Sequence, residues 1–295
     1  MQFHKMEGCG NDFVVVQATA LSPFINQPQQ LQQFVQRVCD RHYGVGADGL
    51  LAWESDSTEE RLHIRMHYWN ADGSRAEMCG NGARCVVRDA WEAAGQPHTD
   101  LLLQTDNGLR PVRIAGTGND CVVAVDMGPA EWQPDLVPFT APEAAVDVAV
   151  DVPGLVYGVS ALSMGNPHAI VFVEDRAALD AIDLKQVGEP LATHPRFPRG
   201  ANASFVLVST DTLHLRVWER GVGPTLACGT ASCAALAAAR RSGRIDALEA
   251  FVQLPGGRVH VREAADGHLW LAGPASSVAH GSLSADWLQN AQPTP

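Results

Sequence analysis

An internal repeat is the feature of this sequence that most restricts its fold. Five residues of the first half are each followed, 149 positions later, by a residue of the same type. The pairs are Trp69 and Trp218, Cys79 and Cys228, Gln104 and Gln253, Gly108 and Gly257, and Val112 and Val261. A constant offset indicates a duplicated unit, and 295 residues are enough for two hydrophobic cores. The sequence therefore predicts two domains of similar mass.

Both copies show the same succession of local patterns. An alternating stretch with the period of a half-buried strand leads to each Trp, LHIRMHYW in one copy and TLHLRVW in the other. After a polar loop, a Cys-Gly pair opens a helical stretch, and Gly95 or Gly243 is expected just past its end. A strand, a Gly turn at residues 106–108 or 255–257 and another strand follow.

The second helical stretch indicates how each copy is built. Cys233 to Ala239 are apolar or small, so that helix is expected to be buried on every face. We therefore expect an α+β fold of two pseudo-symmetric domains, each a curled, barrel-like sheet of mixed and antiparallel strands around a central helix, with the active site between them. The expected domains are residues 1–126 with the C-terminal segment 275–295, and residues 127–274.

Two further patterns place the remaining parts of the repeat. Gly10-Asn11 before FVVV is echoed by Gly165-Asn166 before HAIVFV, at an offset of 155. Amphipathic surface helices are predicted over residues 29–40 and 177–191.

Composition narrows the classes of function. No apolar run reaches the roughly 18 residues that span a bilayer, and the N-terminus does not read as an export signal, so we expect a cytoplasmic protein. A net charge of −12 without a basic block argues against nucleic acid and favours a small-molecule partner. Seven cysteines, an odd number, favour reduced thiols, and their spacings do not match a zinc site, so no metal is expected.

Cys79 and Cys228 each directly precede a predicted buried helix. The positive end of a helix dipole lowers the pKa of a thiol, which produces a nucleophile or a proton carrier. A packed, unreactive Cys is the usual reading of a lone Cys-Gly pair. The occurrence of the pair at equivalent positions of two copies favours the reactive reading.

Two symmetric thiols suit the inversion of a carbon centre. One thiolate removes a proton from one face while one thiol delivers a proton to the other, and repulsion between two thiolates keeps one proton on the pair. No pyridoxal lysine motif is evident, so the helix starts are expected to stabilise the carbanion. The backbone N–H groups expected to cradle the substrate carboxylate are those of Gly80, Asn81, Gly229 and Thr230.

With these residues identified, the sequence resembles the diaminopimelate epimerase family along nearly its whole length. The motifs are GNDF (10–13), GVGADG (44–49), NADGS (70–74), MCGNGARC (78–85), SMGNPH (163–168), AN (201–202), ERGVGPTLACGT (219–230) and LPGG (254–257). Each motif alone is weak, but together they occur in the family's order. The resemblance implies conversion of LL- into meso-diaminopimelate, on the way to lysine and peptidoglycan, without cofactor or metal.

The resemblance also implies roles for individual residues. Cys79 and Cys228 would be the acid and the base, with His168 and Glu219 supporting catalysis. The residues that would hold the distal end of the substrate are Asn11, Asn70, Asn166, Asn202, Glu219 and Arg220. Arg220 suits a carboxylate because its planar guanidinium can donate two parallel hydrogen bonds.

The chain departs from the family pattern at four positions. Ala231 replaces a Gly at the second helix start, Gly49 replaces a Gln of some members, Cys9 replaces an apolar residue, and Ala279 replaces a Tyr that helps dimerisation in some members. Because Ala279 stands in place of that Tyr, a homodimer is left open.

Three other classes of protein are alternatives to this family. Proline and hydroxyproline racemases carry His where this chain has Asn81, and phenazine-biosynthesis-type isomerases lack the Cys pair. A thiol redox or metal-binding protein would need Cys spacings that are absent from this sequence.

Overall fold

The computed structural model describes residues 1–24, 26–57, 61–76, 79–95, 98–152 and 154–289. Met78 of the MCGNGARC motif and residues 290–295 of the predicted C-terminal segment lie outside the described residues. The chain divides into unit 1, Met1–Val125 with Gly273–Pro295, and unit 2, Asp126–Ala272. These divisions fall one and two residues from the boundaries predicted at positions 126 and 275.

The strands are given in chain order. They are β1 (Gln2–Gly8), β2 (Asn11–Gln17), β3 (Gly49–Ser57), β4 (Leu62–Asn70), β5 (Arg75–Ala76), β6 (Asp100–Thr105), β7 (Gly108–Ala115), β8 (Val122–Pro129), β9 (Val148–Val152), β10 (Leu155–Ser163), β11 (Pro167–Val173), β12 (Asn202–Val208), β13 (Thr212–Glu219), β14 (Gly223–Pro224), β15 (Glu249–Leu254), β16 (Gly257–Glu263), β17 (His268–Pro274) and β18 (Ser276–Ser282).

The helices connect these strands or are enclosed by them. The α-helices are α1 (Pro28–Cys39), α2 (Gly80–Ala93), α3 (Arg176–Ala181), α4 (Glu189–Ala192), α5 (Gly229–Arg241) and α6 (Ala285–Gln289). The shorter helical segments are 3-10 turns at Ala18–Phe24 and Gly118–Asp120 and a π-helical turn at Leu184–Gly188.

The strand pairings repeat between the units. In unit 1, β18, β1, β2, β3, β4, β6, β7 and β8 are successive neighbours, and the β2–β3 and β4–β6 pairs are parallel. In unit 2, β9, β10, β11, β12, β13, β15, β16 and β17 follow the same succession, with β11–β12 and β13–β15 parallel. The duplication predicted from the sequence is therefore present in the topology.

One buried helix lies at the centre of each unit. Helix α2 packs against β1, β2, β3 and β4, and α5 packs against β10, β11, β12, β13, β15 and β16. Six strands set side by side cover about 24 Å, roughly twice the diameter of a helix, so a flat sheet could not reach α5 with all of them. The sheet therefore curls around the helix. This arrangement confirms the expected α+β fold with a mixed sheet around each central helix.

The opposite face of each sheet is also covered. In unit 1, Val14 and Val16 of β2 belong to a core cluster with Phe34 and Val38 of α1. Phe13, which alternates with them, is directed toward the central helix, where its ring lies near Gly82. Burial on both faces explains why this strand is apolar without interruption.

The predicted helix ends agree with the structure. Gly95 and Gly243 follow the C-caps of α2 and α5 and have φ of +80° and +71°, the left-handed conformation that favours glycine. Helix α1 spans Pro28–Cys39 where residues 29–40 were predicted, with Pro28 in its first turn.

The predicted helix over residues 177–191 is wrong as a single helix. Helix α3 ends at Ala181, and Ile182 is extended, with φ −61° and ψ 115°. The carboxylate of Asp183 then accepts hydrogen bonds from the backbone N–H groups of Lys185 and Gln186, which starts a new helical turn. The amphipathic pattern continues across this break, so the pattern alone does not reveal it.

Candidate active site

In each unit, the ends of neighbouring strands lie at the same end of the sheet as the start of the central helix. In unit 2, His168 of β11 is aligned with Asn202 at the start of the parallel strand β12. Strand β13 runs antiparallel to β12 and ends at Glu219, beside Asn202. Cys228 then precedes α5. The topology thus brings three residues from separate motifs toward one cysteine.

The corresponding end of the sheet in unit 1 carries different residues. Asn11 begins β2, Gly49 begins the parallel strand β3, and Asn70 ends the antiparallel strand β4 directly opposite Gly49. Cys79 precedes α2. The side chain of Asn70 donates to Ser74 Oγ at 3.0 Å, within its own loop.

Cys79 is the N-cap residue of α2. Its φ of −142° and ψ of 116° are extended, and its Sγ accepts a hydrogen bond from the backbone N–H of Gly82 at 3.4 Å. The N–H groups of Gly80 and Asn81 belong to the first helical turn, which has no intrahelical acceptors. The sulfur therefore lies at the positive end of the helix dipole.

Two asparagines predicted to bind substrate lie beside the Cys79 sulfur. Cys79 Sγ is 3.6 Å from Asn11 Oδ1, and Asn81 Nδ2 is 3.4 Å from the same oxygen. Asn11 Nδ2 in turn donates to Asp48 Oδ2 at 2.7 Å. The orientation of the Asn11 amide is thereby fixed from both ends.

Cys228 is the N-cap residue of α5 and is more deeply buried than Cys79. Its Sγ is 3.3 Å from Glu219 Oε2 and 3.5 Å from Thr230 Oγ1. Burial, together with the nearby Glu219 carboxyl, raises the pKa of the Cys228 thiol well above its usual value. The expectation that the helix dipole lowers both thiol pKa values is therefore wrong for Cys228, because desolvation outweighs the dipole.

Glu219 is also held toward its protonated form. Burial raises the pKa of the Glu219 carboxyl, and hydrogen bonds from Thr225 and Cys228 offset part of this rise. Thr225 Oγ1 donates to Glu219 Oε1 at 2.5 Å. Thr225 is not among the site residues predicted from the sequence. Its only sequence signal is its position inside the ERGVGPTLACGT motif.

His168, in unit 2, is fully buried. Its Nε2 lies 3.0 Å from Asn166 Oδ1, and Asn166 Nδ2 donates to Thr230 Oγ1 at 3.4 Å. Burial, with a smaller contribution from the positive charge of Arg220, lowers the pKa of His168 to about 3, so the imidazole is neutral. Among the described residues, Nδ1 has no hydrogen-bond partner.

Asn202 and Arg220 are the remaining predicted site residues of unit 2 with polar side chains. Asn202 Oδ1 accepts a hydrogen bond from the backbone N–H of Arg220 at 2.8 Å, which fixes the turn after β13. The exposed guanidinium of Arg220 donates to the carbonyl of Arg199 at 3.0 Å. Its remaining N–H groups could serve a carboxylate ligand.

The arrangement of metal-ligating side chains and the character of the helices bear on metal binding and on membrane crossing. Among the described residues, no group of three or more His, Cys, Asp and Glu side chains is arranged to hold a metal ion. In the same part of the chain, none of the helices combines the length and the apolar character that crossing a membrane requires.

Known proteins resemble this chain in fold and in sequence. A protein from Bacillus anthracis of the PhzF phenazine biosynthesis family aligns with a TM-score of 0.66 and 18% identity, covering 96% of this chain and 99% of that one. A hydroxyproline epimerase from Agrobacterium vitis aligns with a TM-score of 0.63 and 15% identity, covering 95% and 91%. At these identities the likeness shows the fold alone.

Sequence comparison is more specific. The diaminopimelate epimerase of Alkalilimnicola ehrlichii is 40% identical over 291 residues, 97% of this chain and 99% of that protein. The diaminopimelate epimerase of Synechococcus elongatus is 41% identical over 287 residues, covering 96% and 98%. The family model described as diaminopimelate epimerase matches residues 3–133 and 160–278. The chain therefore belongs to the diaminopimelate epimerase family.

Proposed function

We propose that this protein interconverts LL- and meso-2,6-diaminopimelate by a cofactor-independent, two-base epimerisation, with Cys79 and Cys228 as the acid–base pair. One observation carries the proposal. Each of the two repeated units has a cysteine sulfur at the N-terminus of its central helix, next to polar side chains. Family membership supplies the substrate class and the isomerase activity.

The chemistry follows from the helix starts. A cysteine thiolate takes the α-proton, and the electron pair left on carbon delocalises into the α-carboxylate. The proposed cradle of N–H groups from Gly80, Asn81, Gly229 and Thr230 stabilises that added negative charge. The other cysteine, as a thiol, gives its proton to the opposite face of the carbon. The first cysteine is then a thiol and the second a thiolate, which are the forms that the reverse reaction needs.

Glu219 and His168 are proposed to support the Cys228 thiol. Glu219 Oε2 is 3.3 Å from the sulfur and can accept its proton when Cys228 must act as the base. His168, neutral and linked to Thr230 through Asn166, keeps the neighbouring amide in one orientation. The supporting carboxyl thus adjusts the protonation of the thiol without taking part in carbon bond changes.

The proposed distal contacts are the asparagines and Arg220. The set Asn11, Asn70, Asn166, Asn202, Glu219 and Arg220 offers amide donors and acceptors and a guanidinium. These groups complement the ammonium and the carboxylate of a second amino-acid end. Diaminopimelate has such a second end, and proline does not.

The test compares substrates. The purified protein is incubated separately with LL-diaminopimelate, L-proline and 4-hydroxyproline, and stereoisomers are separated by chiral chromatography. We expect turnover of diaminopimelate at a far higher kcat/KM than of the two ring substrates. Preferential turnover of proline or hydroxyproline would refute the proposed substrate.

The proposal extends to location and assembly. We place the reaction in the cytoplasm, where catalytic thiols are kept reduced. A homodimer is also proposed, because most residues of β18 are exposed and so accessible to a second copy of the chain. Light scattering measures this directly, and a monomer at working concentration would contradict it.

A further inference from the structure

Arg84 is a buried cation in the second turn of α2, and the mechanism above does not use it. Its side chain is fully buried. Nε donates to the carbonyl of Pro274 at 3.0 Å, Nη1 to the carbonyl of Gly80 at 3.2 Å, and Nη2 to Asn81 Oδ1 at 2.9 Å. These acceptors are neutral, so they satisfy the N–H groups without cancelling the charge. Burying a charge in this way is costly, which calls for a reason.

A chain of contacts connects Arg84 to the Cys79 sulfur. Because Asn81 Oδ1 accepts from Arg84, its Nδ2 must point the other way, and it lies 3.4 Å from Asn11 Oδ1. That oxygen is 3.6 Å from Cys79 Sγ. Arg84 therefore orients the Asn81 amide directly and the Asn11 amide through it, and its guanidinium donates to the carbonyl of Gly80, the residue that follows Cys79.

The other copy of the repeat lacks this cation. The residue 149 positions after Arg84 is Cys233, a buried residue of α5. There the ionisable neighbour of the helix-capping sulfur is Glu219, an acid. The repeat thus places a cation near one cysteine and a carboxyl near the other, which makes the two thiols chemically different.

Other ionisable groups surround the Cys79 end of α2 in the described residues. Glu7, whose Oε2 accepts from the N–H of Gly10, and Asp48, which binds Asn11, are carboxylates that oppose thiolate formation. Burial raises the pKa of the Cys9 and Cys85 thiols, so both stay neutral. Arg41 already pairs with Asp48, its Nη2 lying 2.8 Å from Asp48 Oδ1. Arg84 is the buried cation that offsets the remaining carboxylate, that of Glu7.

We propose that Arg84 is a positioning residue that favours the thiolate of Cys79 and aligns Asn81 and Asn11 beside it. The Asn11 oxygen favours the thiol, but a full charge in a buried site outweighs a neutral amide next to a weak S–H donor. The free enzyme then holds its thiolate at Cys79 and its thiol at Cys228. The catalytic meaning of this inference rests on the proposed function.

The experiment measures the acidity of Cys79 without substrate. The full-length protein is alkylated with iodoacetamide across a range of pH, and the rate at Cys79 is followed by peptide mass spectrometry. In Arg84→Gln the apparent pKa of Cys79 should rise by about one unit, so alkylation near neutral pH slows roughly tenfold. The acid limb of the kcat/KM profile should move upward by the same amount.

Arg88→Gln is the matched control. Arg88 is buried on the same helix and also donates to a carbonyl, that of Ala275, but its Nε binds Glu92. This variant should leave the apparent pKa of Cys79 unchanged. Arg84→Lys should give an intermediate value, because an ammonium keeps the charge but cannot hold Asn81, Gly80 and Pro274 together.

The outcomes separate this inference from the proposed function. A folded Arg84→Gln protein with unchanged Cys79 acidity would overturn the inference, as would an equal shift in Arg88→Gln. If Arg84→Gln does not fold, a parental value in folded Arg84→Lys would overturn it. A protein that fails to epimerise diaminopimelate, yet shows the Arg84-dependent shift, would refute the function and leave the placement of the thiolate intact.

Discussion

At the scale of single residues, the two copies of the repeat use the same cysteine in different surroundings. Cys228 is buried against Glu219 and Thr230, whereas Cys79 is half-buried beside two asparagine amides. The N-cap position gives both sulfurs the same helix dipole, so the difference between them comes from their neighbours. A short sequence motif marks the cysteines, but only tertiary structure determines the protonation of each.

His168 provides a pH-dependent prediction at this scale. Its pKa is lowered to about 3 in the folded protein, chiefly by burial, and returns to its ordinary value of about 6.5 on unfolding. The unfolded chain therefore binds a proton that the folded chain does not, and stability is lost as the pH falls from about 6.5 toward 3. At pH 5 the loss is about 2 kcal/mol.

Urea unfolding at pH 7.5 and pH 5 measures this loss. In His168→Gln the decrease in the free energy of unfolding between the two pH values should be smaller than in the parent by about that amount. His280→Gln, at an exposed histidine, is the control and should behave like the parent. Equal pH dependence in the parent and His168→Gln would show that the imidazole is not held neutral.

At the scale of helices and strands, the sequence predicts most where local chemistry decides the structure. The starts of α2 and α5 follow from a Cys-Gly pair before an apolar run, and their ends follow from Gly95 and Gly243. The interruption at Ile182 and the five-residue helix α6 were not predicted, because capping and docking decide such short segments.

Site residues divide in the same way. Cys79 and Cys228 could be predicted as candidate site residues from the repeat, since their spacing matches its constant offset. Thr225 and Arg84 could not, because their contacts with Glu219 and Asn81 depend on how loops and helices pack. Sequence patterns therefore predict candidate reactive residues more readily than the residues proposed to modulate them.

Gly49 supports a prediction about the β3–β4 pair. A Cβ at this position would lie 2.6 Å from the carbonyl oxygen of Trp69 and 2.7 Å from the ring of Tyr68, too close for either group to remain in place. Gly49→Ala should lower the free energy of unfolding by about 1–3 kcal/mol through overpacking. Gly158→Ala, in β10, is the control because its Cβ would meet atoms no closer than 3.8 Å. Equal stability of the two variants in urea unfolding would contradict this account of Gly49.

At the scale of the whole molecule, duplication supplies two candidate proton carriers where a single unit would supply one. Each unit has its own central helix and its own N-capping cysteine. The proposed reaction needs both, because one cysteine removes a proton from one face of the carbon and the other delivers a proton to the opposite face. Loss of either cysteine should therefore abolish epimerisation rather than halve it.

Solvent deuterium distinguishes two bases from one. When LL-diaminopimelate is converted in deuterated water for a small fraction of the approach to equilibrium, the meso product should carry deuterium at its inverted centre, because the delivering thiol has exchanged with solvent. Recovered substrate should stay largely protonated. Cys79→Ala and Cys228→Ala should each lose more activity than the roughly 10²- to 10⁴-fold that a general acid–base group contributes. Circular dichroism should show that both variants still fold, since each loses one small side chain. Mass spectrometry that found mostly protium in the product would instead indicate a single base that carries the hydrogen across, and either cysteine variant retaining activity would remove that residue from the pair.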